Sequence, residues 1–408
     1  MQCTNCQSKS KQFFSIKLPI YPFSVSEDIK ESMPAKLNNI ITLKYNSCSS
    51  CGYIFSNISE DDFELLELIY KEYYNYMNKT NVVNYAMESL LEIVLPYLEN
   101  LDSLVEIGCY DGSFLLALQK KNPSLKLFGI EPSLAGSKSA KQKGFEVIND
   151  FFPTKEFTKK VDMVISSHVI EHVPDIYTFL ESQTKQLELN GIIAFETPNL
   201  DWAVINGSNK PFHFQHLVLL SKKYIKSLLS QLGLNYVNVF EIDWRIVVVC
   251  SKEKTEGLFS LEEFDFKEDE MFEYLQNFQE RVSKEEIAFK KLLSDSKEKF
   301  WVWGASSFCG NILANLDENE LSKIEGILDS DKAKDGNQFI FSDLDVTIPQ
   351  RINALKIKNI IIMSTYEKEI MDYIKTLCIE HDMKIYTLYS QLDSYSFSVK
   401  TNDFKKIS

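Results

Sequence analysis

Apolar positions along the chain recur in an alternating order of short runs and helical spacings. Within 103–134 an apolar run (Leu104, Val105, Ile107) ends in Gly108 and Gly112, and a helical pattern follows. A second apolar run (Leu125, Leu127, Phe128, Ile130) ends in an acid, Glu131. The pattern predicts a strand, a glycine turn, a helix and a second strand with a carboxylate at its tip. The alternation continues with a short strand over 145–148, ending at Asn149-Asp150-Phe151, and a strand over 161–165, followed by SSHVIEHV. A helix is expected over 175–189, a strand over 192–196, a helix near 221–232 and strands around 234–241 and 244–250. Such alternation predicts a doubly wound α/β sheet that receives ligands at the carboxyl ends of its strands.

Two flanking regions complete the pattern. Upstream, DDFELLELIYKEYYNYM reads as an acidic helix whose tyrosines (Tyr70, Tyr73, Tyr74, Tyr76) pack against a neighbour, and a helix with Leu90, Leu91, Val94 and Leu98 leads into the first strand. Downstream, 253–298 is charged with apolar interruptions and reads as a helical connector. From Phe300 the αβ alternation resumes: a strand over 300–303, a loop from Gly304 to Gly310, a helix through Leu316, strands over 324–328 and 359–363, a helix over 366–377 and a strand over 384–388.

At 408 residues the chain exceeds one ordinary core, so two or three domains are expected. A net charge of −14 argues against a nucleic-acid partner, which asks for a basic surface. A small-molecule substrate bearing phosphate needs only a few local cations. Arginine occurs only at 245, 281 and 351, which makes any arginine near a site informative. No apolar run is long enough to span a bilayer and no basic, apolar leader opens the chain, so a cytoplasmic protein without a membrane partner is expected, as a monomer or homodimer.

The cysteines are of two kinds. Cys109, Cys250, Cys309 and Cys378 are scattered in apolar surroundings and read as small core residues. Cys3-x-x-Cys6 and Cys48-x-x-Cys51-Gly52 are two tight knuckles, and together they make a closed four-thiolate set suited to structural Zn²⁺. Four cysteines leave no position for a reactive water, so this metal is not expected to be catalytic. A cytoplasmic setting disfavours disulfides, and two matching pairs, neither opening a helix after a long strand, disfavour a redox role.

The spacing Glu106-x-Gly108-x-x-x-Gly112 differs from the G-x-G-x-x-G of dinucleotide enzymes and favours a nucleoside ligand without a pyrophosphate. The glycines admit a ligand that a Cβ would exclude, and an acid after the second strand, Glu131, can accept both hydroxyls of a ribose. The motif resembles the S-adenosylmethionine (SAM) site of class I methyltransferases. On that resemblance Glu131 and Pro132 line the ribose, Asp150 and Phe151 frame the adenine, and the backbone around Ser167 and His168 touches the cofactor. His168-Val169-Ile170-Glu171-His172 also spells an inverted zinc-protease motif, but it follows a buried strand and enters the turn Val173-Pro174-Asp175, where both histidines are not presented from one helix. Glu171 and His172 are expected to buttress that turn.

The loop Lys210-Pro211-Phe212-His213-Phe214-Gln215-His216-Leu217 precedes Ser221, a candidate helix N-cap. A loop there overhangs the methyl-bearing end of the cofactor. His216 can titrate near neutral pH and take a proton from the acceptor, with His213 and Gln215 beside it.

A four-cysteine module, a SAM domain and a C-terminal α/β domain, in this order, resemble the sugar C-methyltransferase family, which acts on nucleotide-activated keto-deoxysugars. The resemblance spans nearly the whole chain and implies a zinc-binding module over 1–60, a class I methyltransferase domain over 61–252, a connector over 253–298 and a Rossmann-like domain over 299–408. It implies that His216 is the base and that Tyr74, Tyr76, Arg245, Gly304, Ser306 and Asn311 meet the substrate. The family's loop reads roughly Y-x-E-H; here its glutamate is Gln215 and its tyrosine is His213. Gln215 lacks the charge that would raise the basicity of the histidine, so methylation of O or N on a sugar or other small metabolite stands as an alternative. A non-catalytic protein that binds SAM and zinc and acts through its partners is a further one. A nicotinamide role for the C-terminal domain, suggested by Asp329, lacks the required glycine spacing.

Overall fold

The computed structural model describes residues 2–3, 5–73, 81–99, 101–206, 208, 211–242, 244–252, 275, 278, 280, 286–364, 366–388 and 393–407. Tyr74, Tyr76 and most of the connector over 253–298 lie outside the described residues. The chain divides into two units: 1–14, 44–206 and 215–275 form the first; 15–43, 207–214 and 276–408 form the second. Residues 1–60, read from the sequence as one module, therefore contribute to both.

The N-terminal strands are β1 (Ser10–Pro19), β2 (Ser24–Val25), β3 (Ile40–Cys48) and β4 (Ile54–Ser56). The first unit continues with β5 (Ser103–Ile107), β6 (Lys126–Ile130), β7 (Glu146–Ile148), β8 (Val161–Ser167), β9 (Leu187–Pro198), β10 (Val218–Leu219), β11 (Asn235–Ile242) and β12 (Arg245–Ser251). Seven of these strands form one sheet in the order β11-β12-β9-β8-β5-β6-β7. Pairing from β7 through to β9 is parallel, while β12 runs antiparallel to both neighbours. The strand order reverses between β5 and β8, so the crevice at their carboxyl ends is where a ligand is received.

Apolar side chains from both sources close the core of this sheet. Leu104, Met163, Ile165, Ala194, Val247 and Val249 from the strands pack against Leu90 and Val94 of helix Asn81–Val94 and Leu115 and Leu118 of helix Ser113–Lys121. Each wholly buried leucine contributes about 2 kcal/mol by leaving water. β9 begins at Leu187, five residues earlier than expected, because helix Ile176–Gln186 stops short and the exposed segment Glu188–Asn190 is extended into the strand. Ser221 is the expected N-cap: its hydroxyl accepts from Tyr224 N at 3.2 Å and opens helix Lys222–Gln231. β10 pairs antiparallel with β4, which continues the small sheet β1-β3-β4-β10.

The second unit adds β13 (Phe300–Trp303), β14 (Ile324–Leu328), β15 (Gln338–Phe339), β16 (Val346–Thr347), β17 (Asn359–Ile362), β18 (Met383–Thr387), β19 (Asp393–Ser398) and β20 (Asp403–Lys406). Its main sheet runs β16-β14-β13-β17-β18-β19-β20, parallel up to β18 and antiparallel beyond. Alternate residues serve opposite faces. Phe300, Val302 and Ile361 join one core cluster, and Trp303, Ile360 and Ile362 join the other. Among the described residues no helix is long and apolar enough to cross a membrane.

Candidate active site

The turn after β5 is built on left-handed backbone. Gly108 and Gly112 have φ of 75° and 74°. A Cβ on Gly108 would sit 2.6 Å from Val169 Cγ2, and one on Gly112 would sit 2.9 Å from Ala140 Cβ. Protein, rather than open space, is thus what first excludes a side chain at either position. Asp111 between them accepts from Lys143 Nζ at 2.7 Å and from the Ser113 hydroxyl and amide, which fixes the start of helix Ser113–Lys121. Its carboxyl lies below the ordinary value: burial opposes ionisation, but Lys143 and Ser113 outweigh it.

Two carboxylates at the tips of β5 and β6 have no such cation among the described residues. Glu131 is 4% exposed and accepts backbone N–H bonds from Tyr110 and Ser133, each at 2.8 Å. Burial outweighs these two donors and pushes its carboxyl up to about 7. Glu106 is buried, its Oε2 has no hydrogen-bond partner, and burial, with the charges of Glu131 and Asp111, holds its carboxyl well above the usual range. An orphaned buried acceptor beside a second uncompensated acid is the complement of a cationic ligand that also carries hydroxyl donors. SAM, with its ammonium, sulfonium and ribose, has that chemistry, so Glu106 and Glu131 fit it.

The other sequence-predicted cofactor residues lie along the same strand ends. Asn149 Nδ2 donates to the carbonyls of Glu131 and Pro132, at 2.8 and 3.0 Å, and so ties the tip of β7 to that of β6. Asp150 Oδ1 accepts from Phe151 N at 2.8 Å, and the Phe151 ring meets Tyr70 edge-on with centroids 6.4 Å apart. Ser167 Oγ donates to Glu196 Oε2 at 2.5 Å, and His168 N donates to the Glu196 carbonyl. His168 itself is held left-handed, at φ 53°, and stacks on Trp244 with centroids 5.3 Å apart.

Beyond β8 a second cluster surrounds the expected base. Glu171, His172 and His216 bring one ligand-type atom each within 4.8 Å of one another, and the His172 and His216 rings meet edge-to-face at 4.9 Å. Glu171 is wholly buried; its oxygens take His168 Nδ1 at 3.0 Å and the Thr197 hydroxyl at 3.2 Å. Burial alone would raise its carboxyl, but the hydrogen bond from His168 and the neighbouring imidazoles bring it down to about 2, so it is ionised at neutral pH. Burial lowers His172 below the ordinary imidazole value against the pull of Glu171. His172 Nδ1 lies 2.8 Å from the Gln215 carbonyl and 2.8 Å from the Tyr70 hydroxyl. His172 Nδ1 is thus already engaged within the protein.

Sequence reasoning missed three members of this cluster. Tyr70 was read as packing, and Glu171 and His172 as supports of a turn. The signal that could have found Tyr70 was its place at the start of the tyrosine segment shared with the resembled family. Of the other predicted residues, Gln215 is buried beside His216, and His213 packs in the second unit against Phe23 with centroids 5.6 Å apart. Arg245, expected at the substrate, is buried in an ion pair with Glu196, NH1 to Oε1 at 2.6 Å.

In the second unit a Cβ on Gly304 would sit 2.9 Å from the Met363 carbonyl, and Ser306 caps helix Ser307–Leu313. Asn311 Nδ2 donates to the Phe212 carbonyl at 3.0 Å. Asp329 accepts from Ala305 N and Lys334 Nζ, at 2.8 and 2.9 Å, and so closes its own loop.

The four N-terminal cysteines converge as the spacing predicts. Their sulfurs all lie within 4.8 Å of one another, with Cys3–Cys51 at 3.7 Å and Cys6–Cys48 at 3.5 Å. A tetrahedron of thiolates around Zn²⁺ has edges of about 3.8 Å, whereas a disulfide needs about 2 Å. The two knuckles repeat one geometry: Gln7 N donates to the Cys3 carbonyl and Gly52 N to the Cys48 carbonyl, each at 2.9 Å, and Gln7 and Gly52 are both left-handed. The donor set fits zinc.

Residues 79–239 match the family model described as a methyltransferase domain. The chain carries a class I methyltransferase domain. Within the curated proteins, a 93-residue stretch is 31% identical to the carboxy-S-adenosyl-L-methionine synthase of Nautilia profundicola, covering 22% of this chain and 39% of that relative. The chain thus spans about two fifths of the length of that relative. Solved structures similar to the methyltransferase domain include geranyl diphosphate C-methyltransferase from Streptomyces coelicolor, at 12% identity and a TM-score of 0.35 over 42% of this chain and 80% of that one. An N-methyltransferase from Bradyrhizobium japonicum aligns at 15% identity and a TM-score of 0.34 over 43% of this chain and 98% of that one. Neither likeness bears on the acceptor.

Proposed function

We propose that the chain transfers a methyl group from SAM to a nucleotide-activated sugar, with His216 as general base and one zinc ion in the four-cysteine cluster. The observation that carries the cofactor is the uncompensated pair Glu106 and Glu131 at the switch point of a methyltransferase domain. SAM supplies an electrophilic methyl group on a sulfonium. The residues of the chain do the rest: Glu131 accepts ribose hydroxyls, Glu106 meets the ammonium, and Phe151 flanks the adenine. His216 takes the proton that the acceptor loses, and His172 with ionised Glu171 stabilises the imidazolium so formed. Methyl transfer then depends chiefly on alignment of the acceptor.

The sugar assignment rests on the order of parts along the chain, and Tyr74, Tyr76, Arg245, Gly304, Ser306 and Asn311 enter it by resemblance alone. Gln215 in place of a glutamate favours the second reading, O- or N-methylation. Against it, Glu171 supplies a buried negative charge in the cluster of His216, a role the missing glutamate would have filled. Incubation of the full chain with SAM and a panel of sugar nucleotides, followed by mass spectrometry, tests the proposal. A methylated sugar nucleotide supports it, and NMR then locates the methyl on carbon, oxygen or nitrogen. SAM binding without transfer to any sugar or small metabolite would replace it with a non-catalytic binding protein. Metal analysis under reducing conditions is expected to find one zinc per chain; none would discard the cluster as a metal site.

A further inference from the structure

We infer that the four-cysteine module is part of the catalytic apparatus, with Tyr45 and strand β4 setting the position of His216. The inference rests on the reading of His216 as the base and adds what holds it. Three consecutive carbonyls carry this imidazole, and all three are bonded. The Gln215 carbonyl faces His172 Nδ1 at 2.8 Å, the His216 carbonyl accepts from the Tyr45 hydroxyl at 3.3 Å, and the Leu217 carbonyl accepts from Ser56 N at 2.8 Å. Leu217 N in turn donates to the Glu171 carbonyl at 2.8 Å. From Val218 the chain becomes a strand, pairing Val218 with Phe55 and Leu219 with Ile54.

The backbone under His216 is therefore clamped from two sides. One side is the end of β8, through Glu171 and His172. The other is the segment that flanks the second cysteine knuckle: Tyr45 lies three residues before Cys48, and Ile54–Ser56 begins three residues after Cys51. Tyr45 and Ser56 are themselves cross-strand partners. The knuckle also presses on the helix that follows the loop, since a Cβ on Gly52 would sit 3.2 Å from the Lys223 side chain, and Tyr53 packs on Tyr224 with ring centroids 4.7 Å apart. β4 is only three residues long, too short to hold its place without the turn that precedes it. Whatever orders the four thiolates orders β4, and β4 orders the loop of the base.

Tyr45→Phe removes one hydroxyl and keeps the buried ring. It is expected to lower kcat about tenfold or more, because small misplacement of a reacting group is costly, while KM and SAM affinity stay within about twofold. Separately, removal of zinc from the reduced full chain by a chelator is expected to speed amide exchange at 54–56 and 215–219 at least about tenfold, with 103–107 unchanged, and added zinc is expected to reverse it. Unchanged kcat in Tyr45→Phe, or exchange at 215–219 indifferent to zinc, would overturn the inference. The exchange measurement does not depend on chemistry at His216. Full turnover in His216→Ala would therefore remove the base assignment while leaving the clamp to be judged by exchange alone.

Discussion

Glu131 makes the binding of SAM depend on pH in a stated direction. Its carboxyl is pushed from the ordinary 4.5 up to about 7 by burial, and only two backbone amides oppose the shift. Ribose hydroxyls donate to the ionised form, so binding must expel the proton that the free protein retains. A carboxyl titrating near 7 is about nine-tenths ionised at pH 8 and about one-tenth ionised at pH 6, so affinity should weaken about tenfold, or about 1.4 kcal/mol, over that interval. Glu106 is raised by the same cause and adds to the slope in the same sense. Calorimetry at pH 6, 7 and 8, in two buffers of different ionisation enthalpy, measures both the affinity and the proton released. The demethylated product, titrated in parallel, separates the ribose contribution from that of the sulfonium. Folding carries the opposite sign. A carboxyl raised in the folded state stabilises fully below about 4.5, and that stability is lost as pH rises through about 7, on the order of 3 kcal/mol in all. Glu131→Gln should flatten both dependences. Affinity that is unchanged from pH 6 to 8, with no proton released, would refute the placement of the ribose on this side chain.

Three further outcomes follow from the same arrangement. His216→Ala should leave SAM affinity nearly intact and cut turnover by about 10²–10⁴, measured by calorimetry and by a methyl-transfer assay on one preparation; unchanged turnover removes it from the mechanism. Glu196→Gln removes the buried ion pair with Arg245 and should destabilise the chain in urea unfolding, with part of the loss recovered when Arg245→Met is added; stability unchanged by Glu196→Gln would mean that the pair contributes nothing. Purified under reducing conditions, the chain should hold one zinc, and its removal should open the loop of His216 before it melts the main sheet.

Much of the fold was legible because the local pattern and the long-range answer coincide. The strand–glycine–helix–strand segment is a closed local unit, and β5, β6 and β14 lie where the apolar runs stand. The antiparallel pair β19 and β20 was not read, since Asp393–Ser398 and Asp403–Lys406 alternate polar with aromatic residues and lack the apolar weight of a buried strand. The convergence of the four cysteines was legible because two C-x-x-C pairs write a candidate metal site as spacing. The cluster around His216 was not: Tyr70 meets His172 across 102 positions and His172 meets Gln215 across 43, with no motif joining them. The ion pair of Arg245 was not legible for a related reason. Its partner Glu196 lies 49 positions away, and nothing in the local sequence pairs the two.

The acids at the carboxyl edge of the main sheet separate by whether the chain supplies them a cation. Asp111 has Lys143 and Glu196 has Arg245, while Glu171 has the imidazole of His168 within hydrogen-bond distance. Each of these pairs fixes backbone: a helix start, the turn after β8, the meeting of β8, β9 and β12. Among the described residues Glu106 and Glu131 have none; burial raises both, and the charge of Glu131 adds to the shift of Glu106. A fold built only for stability gains nothing from two such groups side by side, since neutral side chains of the same size would avoid the desolvation. Protonation relieves that cost in the free protein, and on the proposed function a positive ligand rich in hydroxyl donors in the crevice between β5, β6 and β8 relieves it when bound. The cations supplied by the protein thus mark the scaffold, and the acids left without one are the place proposed for the ligand.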